Sequence, residues 1–155
     1  LRGFPASLLR EWKGAGRPRW HFRQSGVVPF RGTDAGCEVL LVTTRGMGKW
    51  TIPKGIVEPD LSPQDSAEKE ALEEAGVSGI MIPGIQESYR YEKWNGSCAV
   101  TLFPLQVTEE HERWEEEEIR RRRWVARERL GEYVENAELR EAIRRVLERL
   151  PCDEG

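Results

Sequence analysis

The sequence is poor in cysteine and histidine, and it contains no long apolar run. Its three cysteines are too few and too widely spaced for a disulfide framework or a zinc-ligand pattern: Cys37, Cys98 and Cys152. We therefore expect reduced thiols in a cytoplasmic protein. No stretch is long and apolar enough to cross a bilayer or to form the hydrophobic segment of a secretory signal, so we expect no membrane partner.

An excess of one charge is also absent. The chain of 155 residues has a formal net charge of −3, which argues against long nucleic acids as partners. The charges are nevertheless segregated along the chain. Residues 1–31 contain seven Arg or Lys and one acid, whereas residues 55–77 contain seven acids and one base. Such a pair of segments can hold a metal ion and a polyanion together, or it can form two solvated surfaces.

Hydrophobic patterning predicts a mixed sheet packed between helices. Apolar and β-branched runs predict strands at residues 22–30, 37–44, 50–52, 80–93, 97–107 and 122–125. The stretch 32–36 (GTDAG) predicts a hairpin with a long loop, and helices are predicted at residues 62–76 and 136–150. This order of elements indicates an α/β (α+β) sandwich.

The composition supports one domain. A hydrophobic fraction of 38% is enough for one core, and no internal repeat or second core is visible. We place this domain at residues 21–150. Residues 1–20 mix Gly, Pro and Arg without a period and are expected to form a flexible or peripheral arm, and residues 151–155 a short tail.

The first predicted helix has well-marked ends. Ser62 is the expected N-cap, Pro63 suits the first helical position, and Gly76 suits the C-terminal stop. Small side chains recur every four residues and predict a face that packs closely on the sheet: Ala67, Ala71 and Ala75.

Three carboxylates lie on one face of this helix. Glu70, Glu73 and Glu74 stand at i, i+3 and i+4, where like charges repel. A hard divalent cation that takes oxygen ligands relieves this repulsion. Taken alone, the three acids are more typical of an ordinary solvated helix that is rich in Glu.

The surrounding pattern resembles the Nudix box, G-x5-E-x7-R-E-U-x-E-E-x-G-U, in which U is aliphatic. The fixed positions match at Gly55, Glu70, Glu73, Glu74 and Gly76, and the U positions are Ala71 and Val77. Two positions differ, because Leu61 replaces the usual Glu and Lys69 replaces the usual Arg.

The resemblance extends beyond the box. The segment Trp50-Thr-Ile-Pro-Lys-Gly55 is similar to the lead-in of many Nudix members. Residues 114–125 (WEEEEIRRRRWV) are similar to the stretch that closes the domain in diphosphoinositol polyphosphate and diadenosine polyphosphate hydrolases. The resemblance therefore covers about residues 20–150 and implies the Nudix α/β/α sandwich with its loop-helix-loop catalytic motif.

The resemblance also implies a chemistry, namely hydrolysis of a pyrophosphate bond with Mg²⁺, or alternatively Mn²⁺. By position, Glu70, Glu73, Glu74 and the Gly55 carbonyl are expected metal ligands, with Glu73 or Glu74 as the base. Lys69 is expected to orient the glutamates. Expected contacts to a small polyphosphate or nucleotide come from basic residues near strand ends and loops: Lys54, Arg31, Arg45, Lys49, Arg90 and Lys93. Aromatic side chains that could stack on a base are Trp50, Tyr91 and Trp94.

Several alternatives remain open at the level of the sequence. The tail favours diadenosine or diphosphoinositol polyphosphates as substrates. Nucleotide sugars, nucleoside triphosphates and RNA 5′ ends are the alternatives, as is a nucleotide-sensing module with weakened catalysis. Residues 115–118 could supply a carboxylate from outside the box, although a solvated loop paired with Arg120–Arg123 is the favoured interpretation. For the two unusual positions, we expect the methylene stem of Lys69 to cover Leu61 while its ammonium reaches the glutamates.

Overall fold

The computed structural model of the chain describes residues 20–46, 48–93 and 96–151, without the side chains of Trp20, His21, Phe22 and Lys93. The arm predicted for residues 1–20 lies outside the described residues except for Trp20. The tail predicted for residues 151–155 does so except for Pro151.

Eight strands and three α-helices make up the described part of the chain. The strands are β1 Trp20–Thr33, β2 Gly36–Thr43, β3 Trp50–Thr51, β4 Lys54–Ile56, β5 Val77–Met81, β6 Glu87–Lys93, β7 Gly96–Glu110 and β8 Arg122–Ala126. The helices are α1 Pro63–Glu70, α2 Leu130–Tyr133 and α3 Ala137–Glu148, with a π-helical turn at Ala71–Ala75 and a 3₁₀ turn at Arg127–Arg129. We call α1 with its π-helical turn the box helix. No helix in these ranges is long and apolar enough to cross a bilayer.

The strands form one mixed sheet. Its central order is β3-β2-β1-β7-β5, with β4 paired to β1, β6 to β7 and β8 to β2. The long pair β1 and β7 is parallel, and the other pairs are antiparallel. The mixed sheet predicted from the sequence is confirmed.

One face of the sheet is covered by α2 and α3, and the other by the box helix. Successive residues of a strand point to opposite faces, and β1 shows this clearly. Val28 packs in a core with Ile143 and Val146 of α3. Val27 packs in a second core with the small face of the box helix: Ala67, Ala71 and Ala75, all fully buried. The predicted sandwich is therefore confirmed, and its two cores are separated by the sheet.

The ends of the box helix follow the sequence prediction. The Ser62 Oγ accepts a hydrogen bond from the Asp65 N–H at 3.0 Å, and Pro63 opens the helix. Gly76 ends it in the left-handed region with φ 66°. A Cβ at Gly76 would approach the Trp114 Cβ to 2.7 Å, so both conformation and space require glycine there.

Two local predictions are wrong. The hairpin predicted to have a long loop at residues 32–36 turns on Asp34 and Ala35 alone, because the ladder runs on to Thr33 opposite Gly36, whose φ is 124°. The single strand predicted at residues 80–93 is two strands, since Pro83 lacks an amide hydrogen and Gly84 has a φ of 81°. β5 and β6 consequently pair with different parts of β7.

Candidate metal centre and substrate cleft

The box helix places Glu74 in the interior, where both of its carboxylate oxygens accept hydrogen bonds. Oε1 accepts from the Lys54 backbone N–H at 3.1 Å, and Oε2 accepts from the Arg120 Nη2 at 3.0 Å. Glu74 is only 6% exposed. Burial raises the pKa of its carboxyl, and the nearby Arg120 charge opposes that shift. The Glu74 carboxylate is thus held in place by hydrogen bonds and shielded from solvent.

Glu70 lies one turn earlier and packs against Gly55. A Cβ at Gly55 would overlap the Glu70 carboxylate, so the glycine lets the loop and the acid come together. Burial raises the pKa of Glu70 to about 8, helped by the charges of Glu74 and Glu73 and by a hydrogen bond with Glu74. Two carboxyls this close can share a proton or a cation.

Glu73 points to the loop between β7 and β8. One carboxylate oxygen each from Glu73, Glu115 and Glu116 lies within 4.8 Å of the others. The Glu116 backbone N–H also donates to the Glu73 carbonyl at 3.0 Å, which ties the loop to the box helix. Glu70 and Glu74 lie against each other, and Glu73 lies with Glu115 and Glu116. We call these two neighbouring groups of acids together the carboxylate cluster.

Arg120 holds the loop and the helix together. Its guanidinium donates to Glu116 at 2.8 Å, to the Thr43 carbonyl at 2.8 Å and to Glu74 at 3.0 Å. Its side chain is only 9% exposed. The pairing predicted between the acidic loop and the arginine run is present at Glu116 and Arg120. The contact of the same arginine with Glu74, forty-six residues away, has no signal in the sequence.

A cleft of about 460 Å³ adjoins the cluster. The two are linked by Lys54, whose backbone N–H bonds Glu74 while its side chain lines the cleft. The Lys54 Nζ lies 5.5 Å from the centre of the Tyr91 ring. The walls of the cleft include Thr44, Lys49, Trp50, Tyr91, Glu135 and Leu139. A volume of this size suits a small-molecule ligand.

Comparison with known proteins agrees with this geometry, because the NUDIX domain family model matches residues 20–150. The chain belongs to the Nudix family. The resemblance seen in the sequence is thereby confirmed.

Individual relatives cover different shares of the chain. Nudix hydrolase 21, chloroplastic, of Arabidopsis thaliana is 34% identical over 129 residues, covering 80% of this chain and 65% of that protein. Diphosphoinositol polyphosphate phosphohydrolase 3-alpha of Mus musculus is 37% identical over 92 residues, covering 56% and 54%. A crystal structure of a C. elegans Ap4A hydrolase binary complex has a TM-score of 0.65 at 23% identity, covering 80% and 93%, and shares the fold. The chain spans between half and two thirds of the length of several of its curated relatives.

Within the Nudix box, Lys69 has an acidic partner that the sequence pattern does not indicate. Its Nζ lies 2.8 Å from the Glu58 Oε1 and 3.8 Å from a Glu73 oxygen. The hydrogen bond and charge of Glu58 raise the pKa of Lys69. Glu58, three residues before Leu61, therefore provides the carboxylate that the usual box position lacks. The turn at residues 59–61 and the start of the box helix bring Glu58 to Lys69, and the spacing of the box does not reveal this contact.

We expect Glu58 and Lys69 to act as a coupled pair in catalysis. In a double-mutant cycle on kcat/KM, Glu58→Gln and Lys69→Met should show an interaction energy of about 0.5–3 kcal/mol, because each removes the same contact. Leu61→Glu combined with Lys69→Arg serves as the comparison and should be additive, since Glu58 already holds the ammonium. The opposite pattern, coupling at Leu61 and additivity at Glu58, would contradict this assignment.

Only some of the other basic residues expected to contact substrate lie at the cleft. Lys49 lines the cleft with Lys54. Arg45 is exposed, with its Nε 4.0 Å from a Glu116 oxygen. Arg31 instead forms an ion pair with Glu38 at 2.8 Å, and its guanidinium lies 4.1 Å from the centre of the Trp124 ring. The described lining of the cleft does not include Arg31, and the Lys93 side chain and Trp94 lie outside the described residues.

The remaining sequence expectations concern aromatic side chains. Trp50 and Tyr91 line the cleft, as a base-stacking role requires. Two further tryptophans, Trp114 and Trp124, are half-buried. The Arg122 guanidinium covers the Trp114 ring at 3.9 Å, so this ring supports the loop against the box helix.

We expect the metal-free protein to lose stability as the pH rises from about 5 to about 8. Glu70 has a folded-state pKa of about 8 against an ordinary value of 4.5, so between these values the folded state binds a proton that the unfolded state lacks. The free energy of unfolding should therefore fall with pH across this window. Urea titrations at several pH values in the presence of a chelator measure this free energy of unfolding.

Glu70→Gln is the matched control for that experiment. The amide does not titrate, so the variant should show a flatter dependence of stability on pH. Equal slopes for the variant and the wild type would show that Glu70 is not the source of the effect.

Proposed function

We propose that this chain is an Mg²⁺-dependent pyrophosphohydrolase that cleaves a phosphoanhydride bond in a nucleoside-diphosphate-linked or polyphosphorylated small molecule. The observation that carries the proposal is the carboxylate cluster beside Lys54. A cluster of acids on its own is common on protein surfaces. Here one member, Glu74, is buried, and the backbone of the phosphate-binding candidate Lys54 is bonded to it.

The residues present fit a hard divalent cation. All five side chains of the cluster offer carboxylate oxygens, which Mg²⁺ and Mn²⁺ prefer, and no histidine or cysteine belongs to the described cluster. Burial and, after it, the negative charges of Glu74 and Glu73 raise the pKa of Glu70, and a cation would neutralise these charges. Glu70, Glu73 and Glu74 are the proposed ligands, with the Gly55 carbonyl, and Glu115 or Glu116 is added by the geometry.

The roles of the side chains follow from their contacts. When bound, Mg²⁺ neutralises phosphate oxygens and lowers the pKa of a coordinated water. Glu73 is the better candidate for the base, because both oxygens of Glu74 already accept hydrogen bonds from Lys54 and Arg120. The Lys54 ammonium binds phosphate as a point charge, and Lys69 orients Glu73.

The substrates proposed first are diadenosine or diphosphoinositol polyphosphates. The mouse relative is named as a diphosphoinositol polyphosphate phosphohydrolase, and the tail of the chain favours the same branch. Nucleotide sugars, nucleoside triphosphates and RNA 5′ ends are the alternative substrates. A sensing module without catalysis is a weaker candidate, because Glu58 restores an acidic partner for Lys69.

A hydrolysis panel tests the proposal. Diadenosine tetraphosphate, a diphosphoinositol polyphosphate, a nucleotide sugar, a nucleoside triphosphate and a 5′-triphosphorylated RNA are each incubated with the protein and Mg²⁺, and the products are identified. We expect products of phosphoanhydride cleavage from the first two. Binding without turnover across the whole panel would establish a sensor instead.

The cellular location remains a prediction. Cys37 and Cys98 are buried and form no disulfide among the described residues. The names of two relatives nevertheless assign those proteins to the chloroplast and the mitochondrion.

A further inference from the structure

Ser25 carries a buried hydroxyl that makes no hydrogen bond. The residue lies in β1 and is fully buried, and its Oγ has no hydrogen-bond partner among the described residues. A buried hydroxyl without a partner destabilises a fold relative to an apolar group of the same shape. Its presence at this position therefore needs an explanation.

Packing does not explain the serine. Val27, two residues further along the same strand, packs on the small face of the box helix, so Ser25 points to the same face of the sheet. The box-helix side chains buried against that face are alanines, among them Ala67 and Ala71. An alanine at position 25 would keep the contacts of the backbone and the Cβ without burying a hydroxyl. The oxygen itself is thus the feature that needs a function.

The register of the sheet places Ser25 beside the Glu70 carboxylate. Ser25 lies directly opposite Gly55 in the antiparallel pair of β1 and β4, so both residues share one face of the sheet. In such a pair the opposite Cβ atoms are about 4.5–5.5 Å apart. Gly55 has no Cβ, and the Glu70 Oε1 takes the place where one would lie. The Ser25 hydroxyl therefore adjoins Glu70 from the side of the sheet.

We propose that Ser25 is a positioning residue of the metal site, whose hydroxyl donates a hydrogen bond to the Glu70 carboxylate when a divalent cation is bound. The inference rests on the proposed function for the presence of the cation. One Glu70 oxygen then accepts from Ser25, and the other is left to bind the cation. A hydrogen bond of this kind fixes the orientation of a ligating carboxylate and strengthens metal binding. Ser25 lies outside the box pattern, which begins at Gly55.

Binding of Mn²⁺ without substrate tests this role. Electron paramagnetic resonance measures free Mn²⁺ as it is titrated into the metal-free protein, and urea unfolding measures the stability of the same metal-free samples. Ser25→Ala should weaken Mn²⁺ binding by roughly 10- to 100-fold, the scale for loss of a group that orients a metal ligand. Its metal-free stability should equal or exceed that of the wild type, because the hydroxyl has no partner to lose there. A merely structural serine would give the reverse result, lower stability with unchanged Mn²⁺ affinity.

Ser78→Ala is the matched control. Ser78 is also a strand serine, but its Oγ lies 3.4 Å from the His111 Nε2, and its strand β5 carries no member of the carboxylate cluster. Its replacement should leave the affinity for Mn²⁺ unchanged. In turnover assays, Ser25→Ala should require more Mg²⁺ for half-maximal rate and should keep most of its kcat at saturating Mg²⁺.

The outcomes separate this role from the proposed function. Wild-type Mn²⁺ affinity in Ser25→Ala, a loss of its metal-free stability, or an equal loss of affinity in Ser78→Ala would overturn the role of Ser25. Hydrolysis by Ser25→Ala with an unchanged dependence on Mg²⁺ would likewise overturn it and leave the pyrophosphohydrolase standing. Weaker Mn²⁺ binding in Ser25→Ala without any turnover by the wild type would refute the proposed function alone. A wild type that binds no Mn²⁺ would overturn both.

Discussion

Glu73→Gln and Glu74→Gln should each lower kcat by roughly 10²–10⁴, the scale for loss of a positioned acid or base. Glu73 faces the loop acids, and the buried Glu74 carboxylate is held by Lys54 and Arg120, so neither can be replaced by a solvent-exposed neighbour. The measurement is steady-state hydrolysis at saturating Mg²⁺. Glu73→Gln should also fold normally, because it removes one of several clustered negative charges.

The matched control is Glu118→Gln. Glu118 lies in the same acidic loop but is exposed and is not a member of the carboxylate cluster. Its turnover should equal that of the wild type. Near wild-type turnover in Glu73→Gln or Glu74→Gln would refute the assignment of the site. An equal loss of turnover in Glu118→Gln would show that the loss reflects the charge of the loop in general.

Arg120→Met should lower the free energy of unfolding by about 3 kcal/mol, since it leaves the buried Glu74 carboxylate without its charged partner. The guanidinium also holds Glu116 and the Thr43 carbonyl, so the loop that carries Glu115 and Glu116 loses its attachment. Urea unfolding of the metal-free protein measures the loss. A weaker apparent affinity for Mg²⁺ in turnover assays should accompany it.

Arg121→Met is the control for this variant. Arg121 is exposed, and its backbone makes its hydrogen bonds with Thr43: its N–H donates to the Thr43 hydroxyl, and its carbonyl accepts from the Thr43 N–H. Its replacement should change stability by no more than about 0.5 kcal/mol. Equal effects of the two substitutions would show that the buried pair contributes nothing specific to the fold.

The local features of the box helix could be predicted from the sequence because their causes are local. Ser62 and Gly76 bound the helix through contacts and conformations that involve adjacent residues. The alanine face was predictable from periodicity alone and packs on the sheet as expected. The fixed spacing of the box also predicts Glu70, Glu73 and Glu74 at the C-terminal end of this helix, where they lie in the structure.

The rest of the site depends on contacts between distant segments. Arg120 reaches Glu74 across forty-six residues, and Glu116 meets Glu73 only because β7 and β8 return the loop to the helix. Neither contact has a signal in sequence spacing. The runs of charge in the sequence predict the pairing of Glu116 with Arg120, but they do not predict the contact between Arg120 and Glu74. The π-helical turn at Ala71–Ala75 is likewise set by packing, since the sequence is an ordinary helix former.

The most direct test of the central claim is hydrolysis of diadenosine tetraphosphate in water enriched in ¹⁸O. The account predicts that, with Mg²⁺, each turnover places one ¹⁸O on a phosphate of one product, and that a chelator abolishes both turnover and label. We also expect Glu118→Gln to form labelled product at the wild-type rate, whereas Glu73→Gln forms it roughly 10²–10⁴-fold more slowly. Products and label no higher than in a reaction without protein would contradict the assignment of a pyrophosphohydrolase site to the carboxylate cluster.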